Sequence, residues 1–69
     1  DLSEANLSRA NLRYAKLTGA KLDSANLSKA DLRDSDLSQA YLSFAKLVGA
    51  ALCHTIMRYG KENNSGCGT

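Results

Sequence analysis

The stretch ANLSRANLRYAKLTGAKLDSANLSKADL, residues 5–32, decides the fold, because leucine returns in it at every fifth position. Followed outward, the same beat begins at Leu2 and runs through Leu7, Leu12, Leu17, Leu22, Leu27, Leu32, Leu37, Leu42, Leu47 and Leu52, with Met57 in the next place. Two residues before each, from Ala5 onward, stands a small side chain, which is alanine except at Ser35 and Thr55. The period holds without a slip across residues 1–57, and a repeat that regular governs the reading of everything else.

A period of five excludes both ordinary elements. On an α-helix five residues advance by about 500°, so successive leucines spiral around every face and leave no core stripe. On a continuous strand an odd spacing sends alternate leucines to opposite faces. Keeping every leucine inside requires the chain to turn a corner once per unit. Each unit is then a short extended piece with the small residue and the leucine pointing inward and the other three pointing out. The outward set agrees, being polar or turn-compatible: Asn6, Ser8 and Arg9, then Asn11, Arg13 and Tyr14.

Over residues 1–57 the repeated pattern resembles the pentapeptide-repeat family, whose consensus is A(D/N)LXX. The resemblance implies an all-β fold, a right-handed quadrilateral β-helix with a pentapeptide on each side, and about three coils for a chain of this length. Residues twenty apart should then stack, giving inner ladders such as Leu2/Leu22/Leu42 and Leu12/Leu32/Leu52. The two polar exceptions, Ser35 and Thr55, are also twenty apart, so they fall on one corner stack, where two hydroxyls can bond each other or nearby backbone. An interior filled by Leu and Ala is expected to leave no cavity for a small molecule.

The pattern fails after Met57, where the next leucine position holds Glu62. The chain therefore divides into a pentapeptide-repeat β-helix, 1–57, and a C-terminal tail, 58–69, rich in Gly, Asn and Ser and expected to cap the open end. Its ending resembles that of some cyanobacterial and thylakoid-lumen pentapeptide proteins, which often run C-x-T-x-M-P-D-G and finish in a second cysteine. Cys53, Thr55, Met57, Gly60 and Cys67 match, while Arg58 and Tyr59 replace Pro-Asp. The resemblance and the tail position together imply a Cys53–Cys67 disulfide, worth on the order of 3 kcal/mol for a loop of about 15 residues. Two thiols in a reducing, cytoplasmic setting are the alternative. The disulfide in turn implies a thylakoid lumen or a bacterial periplasm. At the other end Asp1 enters in phase, which suggests a continuation of a longer solenoid, or an edge open to end-to-end pairing with a second copy.

Other candidate chemistry is weak. Cys53, His54 and Cys67 lack metal-ligand spacing and an evident fourth ligand, and adjacent Cys and His side chains diverge on an extended backbone. Asp31, Asp34 and Asp36 do not form an EF-hand pattern, and the repeat already explains an acid immediately before leucine. No catalytic, cofactor or metal residue is assigned. Two surfaces remain as interaction candidates. One side presents Arg9, Lys29 and Lys46 with no acid between them. Another ends in Tyr41 and Phe44, exposed aromatics of the kind enriched at interfaces, although Phe44 can equally pack under the tail.

Composition narrows the function further. With 69 residues, 43% of them hydrophobic, and a net charge of +2, the chain is one small domain. No apolar run approaches the roughly 20 residues that span a bilayer. So small a positive charge does not point to nucleic acid. The reading is a non-enzymatic structural or interaction module with a protein partner. The alternative implied by the resemblance is a DNA mimic that binds a topoisomerase, as gyrase-protecting members do. That role calls for a long, strongly negative rod matching a duplex with one charge per about 1.7 Å, and this chain is short and slightly positive.

Overall fold

The computed structural model describes residues 1–67. Each leucine leads its unit into a tight turn. The Leu2 carbonyl accepts the Ala5 N–H at 3.0 Å, Leu7 accepts Ala10 at 3.1 Å, and Leu32 accepts Ser35 at 3.1 Å. The third residue of the turn has a positive φ, as at Glu4 (64°), Arg9 (63°), Tyr14 (64°) and Phe44 (61°). Positive φ at that position alone is the type II β-turn. Glycine fits it without strain and is present at Gly19 and Gly49 (72° and 73°). Elsewhere ordinary residues hold a left-handed conformation that costs roughly 1–2 kcal/mol each.

The Asn or Asp that precedes leucine satisfies the same turn from its other side. Its Oδ1 accepts the N–H two residues on: Asn6 from Ser8 (3.1 Å), Asn26 from Ser28 (3.0 Å), Asp36 from Ser38 (2.9 Å). These are Asx turns, and they occupy a donor that the turn itself leaves free. Where Tyr41 stands at this position instead, Asp23 of the adjacent coil reaches the Ser43 N–H at 3.3 Å.

Successive coils pair in parallel at an offset of twenty residues: Asn6 with Asn26 and then Lys46, Asn11 with Asp31 and then Ala51, Lys16 with Asp36 and then Ile56, and Lys21 with Tyr41. These four ladders are the sides of the coil. Three kinds of inter-coil bond recur on each side, illustrated by Leu27 N–H to Lys46 C=O (2.7 Å), Lys29 N–H to Val48 C=O (2.9 Å) and Asn26 N–H to Ala5 C=O (2.9 Å). The chain is therefore a β-helix whose strands are too short to count as more than bridges.

Inside, Leu22, Leu27, Leu32 and Leu37 are fully buried with Ala25, Ala30 and Ala40. Each such leucine contributes about 1.5–3 kcal/mol relative to exposure. The columns loosen toward the first coil, where Leu7, Leu12 and Leu17 are half-buried and Leu2 is 38% exposed. Ser35 and Thr55 are buried, and their hydroxyls bond backbone rather than each other: both Oγ atoms donate to the Leu32 carbonyl at 2.7 Å. No buried side-chain polar atom among the described residues lacks a partner.

At the lower end strand β1 (Thr55–Ile56) pairs antiparallel with β2 (Glu62–Asn63), in register Thr55↔Asn63 and Ile56↔Glu62. Ile56 is also bridged to Asp36 above it, so β2 lies on the free side of the last coil. The Cα extents are 32 × 22 × 18 Å, and no helix is long and apolar enough to cross a membrane among the described residues.

Leu32→Lys should abolish the cooperative unfolding transition or lower Tm sharply, because an unpaired charge in this stack has neither water nor a counterion. Leu2→Lys, at a partly exposed position, should shift Tm far less. Thermal unfolding followed by circular dichroism checks both, and equal small shifts would contradict inward stacking at Leu32.

Candidate functional site

The chemistry-bearing residues gather at the lower end, where the last coil meets the tail. A coil edge presents N–H and C=O groups that the next coil would have paired, and tail side chains take several of them. Arg58 continues the coil by accepting the Gln39 N–H on its carbonyl (2.8 Å), then folds its guanidinium back so that Nη1 donates to the Ala40 carbonyl (2.6 Å) and the Gln39 carbonyl (3.2 Å). The same guanidinium lies 4.6 Å from the Tyr41 ring centroid and 5.8 Å from that of Tyr59, within cation–π range of both. Met57 N–H to Lys61 C=O and Gly60 N–H to Met57 C=O, each 2.8 Å, close the reversal, with Gly60 at φ +79°.

Asn64 ties the returning strand to the coil. Its Oδ1 accepts the His54 N–H at 2.7 Å, and its carbonyl accepts the Cys67 N–H at 3.1 Å. Gly66 then passes directly under Leu52, donating to the Leu52 carbonyl at 2.6 Å. A Cβ at this glycine would sit 2.7 Å from the Leu52 nitrogen, so no other residue fits without moving backbone. Cys53 and Cys67 are joined by a disulfide, with Cα atoms 4.6 Å apart. His54 follows Cys53 in sequence and lies beside the disulfide. Its Nδ1 is 2.7 Å from Glu62 Oε2, and a ring nitrogen and the two sulfurs lie within 4.8 Å of one another.

Two expectations about this end change. Cys53 and His54 do not sit on an extended backbone, because His54 occupies the left-handed turn position (φ 52°), which brings its ring back toward the sulfurs. Phe44 does not pack under the tail: it holds the outward corner of its turn and is 89% exposed. The interior is filled, but an open groove of about 580 Å³ lies on the surface between Tyr41, Leu42, Ser43, Met57, Arg58 and Tyr59. Arg9 and Lys29 occupy the same turn position in successive coils, and Lys46 stands on the Asn6/Asn26 ladder of that side. All three are exposed, and Lys29 drapes its stem over Gly49, whose added Cβ would meet Lys29 Cγ at 3.2 Å. Val48 and Tyr59, 76% and 89% exposed, join Tyr41 and Phe44 as apolar surface. Val48 occupies a turn position that is usually polar and so was visible in the repeat, whereas the roles of Arg58, Glu62 and Asn64 carried no periodic signal.

A family model described as pentapeptide repeats matches the chain in eight copies, over residues 1–39 and 35–59. The chain belongs to the pentapeptide repeat family. Its coil is accordingly a right-handed β-helix. A similar solved structure is HetL, a pentapeptide repeat protein involved in heterocyst differentiation regulation from the cyanobacterium Nostoc sp. strain PCC 7120, at 32% identity over 84% of this chain with a TM-score of 0.47. The chain spans 30% of the length of HetL. No curated protein matches it.

The acidic groups of this pentapeptide repeat chain are tuned by the turns they close. Asp31 takes a bidentate pair from Arg33, Nε to Oδ1 at 2.8 Å and Nη2 to Oδ2 at 2.6 Å, and that contact holds its carboxyl down to about 2 from an ordinary 3.8. Asp36 is lowered by the Ser38 backbone and side chain, and Glu62 by its bonds to His54 and then Asn64. Folded values below the unfolded ones give stability that is present above about pH 4 and is lost as pH falls toward 2. Solvent exposure of these carboxylates keeps the effect modest. Denaturation midpoints measured from pH 6 down to pH 2 should fall mainly below pH 4, and Asp31→Asn should flatten that fall.

Proposed function

We propose that the chain is a non-enzymatic protein-interaction module: a β-helix of about three coils, residues 1–57, closed at its lower end by the tail from Arg58 onward, with its contact surface on the last coil. The observation that carries this reading is the concentration of exposed apolar side chains there. Tyr41 and Tyr59 line a shallow groove and Phe44 and Val48 stand exposed on the same coil, while the interior is packed with Leu and Ala. Membership of a repeat family whose proteins are generally structural or interaction proteins supports the same class. Exposed aromatics beside an arginine are the residue types that dominate interface energies. The first coil, with its half-buried leucines, is the edge at which further coils or a second copy would add.

Native pull-down from the source extract, with partners identified by mass spectrometry, tests the surface. A partner retained by the parent chain should be lost with Phe44→Asp or Tyr59→Asp and kept with the double variant Arg9→Glu/Lys29→Glu. The reverse pattern would move the site to the basic side, and equal retention by all variants would sink the proposal.

The disulfide supports an oxidising compartment, a thylakoid lumen or periplasm, for the module. Alkylation of the chain in freshly lysed cells, without reductant, should add no alkyl groups by mass. Uptake of two groups would instead assign it to a reducing compartment.

A further inference from the structure

The cluster of Cys53, His54 and Cys67 is built more carefully than a covalent tie requires. A disulfide needs two cysteines at a suitable separation, and Cα atoms 4.6 Å apart provide that. Yet a third soft-metal donor, the imidazole of His54, has its ring nitrogen within 4.8 Å of both sulfurs. Its position is fixed twice over. The left-handed backbone at His54 turns it toward the cysteines, and Asn64 anchors it by accepting the His54 N–H at 2.7 Å. Asn64 also accepts the Cys67 N–H through its carbonyl at 3.1 Å, so one residue orients two of the three donors. Glu62 Oε2 lies 2.7 Å from His54 Nδ1. A carboxylate on one ring nitrogen selects the tautomer and leaves the lone pair on the other, the support that metal-ligating histidines usually have. Because the His54 side chain is 63% exposed, its ring has room to present that lone pair to the sulfurs.

We propose that reduction of the Cys53–Cys67 disulfide converts this cluster into a zinc site, with the two thiolates and the His54 imidazole as protein ligands and a water in the fourth position. Zinc favours four-coordinate sulfur and nitrogen donors, and three protein ligands plus water is an established arrangement. The first step consumes two electrons and two protons: a dithiol reductant is oxidised to its own disulfide, and the S–S bond opens to two thiols. Zinc then displaces one proton from each thiol, with no further electron transfer. Access is open to both reagents, since His54 and Cys67 are exposed and Cys53 is half-buried. The tail is held by the disulfide in oxidising surroundings and by the metal in reducing ones, so the cap on the last coil persists across the change.

The test is zinc titration of the purified chain, oxidised and after reduction with a trialkylphosphine that is then removed under anaerobic conditions. Calorimetry and native mass spectrometry give affinity and stoichiometry, and cobalt substitution reports thiolate-to-metal charge transfer and tetrahedral d–d bands. The reduced chain should bind one zinc, and the oxidised chain should bind at least about 100-fold more weakly, because its sulfurs are not thiolates. Cys53→Ser should remove the charge-transfer band. His54→Ala should weaken binding by at least about tenfold, and Glu62→Gln by about 10–100-fold through loss of the carboxylate that holds the His54 ring. Binding by the reduced chain no tighter than by the oxidised one, or unchanged by His54→Ala, would overturn the proposal. So would a far-ultraviolet spectrum showing that the reduced, metal-free chain has lost its coil.

Discussion

Everything in this molecule depends on one register: backbone groups pair with those of the next coil about twenty residues on. The Leu2 N–H meets the Lys21 carbonyl, Leu22 meets Tyr41, and the turn residues Glu4 and Ser24 meet Asp23 and Ser43 in the same way. Once this register is set, leucine stands above leucine (above Met57 in the case of Leu37) and each small residue above another small residue, so the interior fills without rearrangement. A shift by one residue would place outward polar groups in the core, and a shift by five would leave the polar pair Ser35 and Thr55 over different corners. The same register explains why ordinary residues tolerate left-handed φ values at the corners. Neighbouring coils impose the same turn from both sides, and such strain persists where the surroundings over-determine it.

A stacked register has ends, and the two ends here differ. In the first coil Leu2 is partly exposed and the next three leucines are half-buried. At the lower end the tail supplies substitutes for a missing coil: a guanidinium for an N–H at the Ala40 carbonyl, an amide oxygen for a carbonyl at the His54 N–H, and a glycine pressed under Leu52. The substitution is local. Leu42 and Leu47 stay half-buried beside the exposed Phe44 and Val48, and this incomplete cover puts apolar surface where a partner can reach it.

Much of the fold was legible in the repeat, and so was the reason for its exceptions. A strict period of five leaves a corner per unit as the only arrangement that keeps leucine inside, whereas the Asx turn that the Asn or Asp before leucine makes is shown only by the folded chain. Ser35 and Thr55 announced one polar corner, although only the coordinates show that both hydroxyls converge on the Leu32 carbonyl. The lower end was legible in outline alone. That the pattern stops after Met57 was plain, but Arg58 and Tyr59 looked like departures from a motif, when Arg58 is the residue that spans the edge and stacks on two tyrosines. Phe44 was ambiguous because exposure at a corner depends on where the tail runs.

The sequence by itself determined the inward columns and the place of every corner, because both follow from constraints repeated locally in every unit, whereas the stacking of residues twenty apart was implied by the family resemblance and is fixed by the pairing between coils. Only the tertiary structure decided that the chain reverses after Met57 instead of starting another side, that Asn64 and Arg58 take over the last coil's backbone partners, and that His54 turns toward Cys53 and Cys67. Those contacts join residues that share no period. They arise because a coil edge with unpaired donors and acceptors is satisfied by whichever tail groups can reach it, and reach is a property of the folded path.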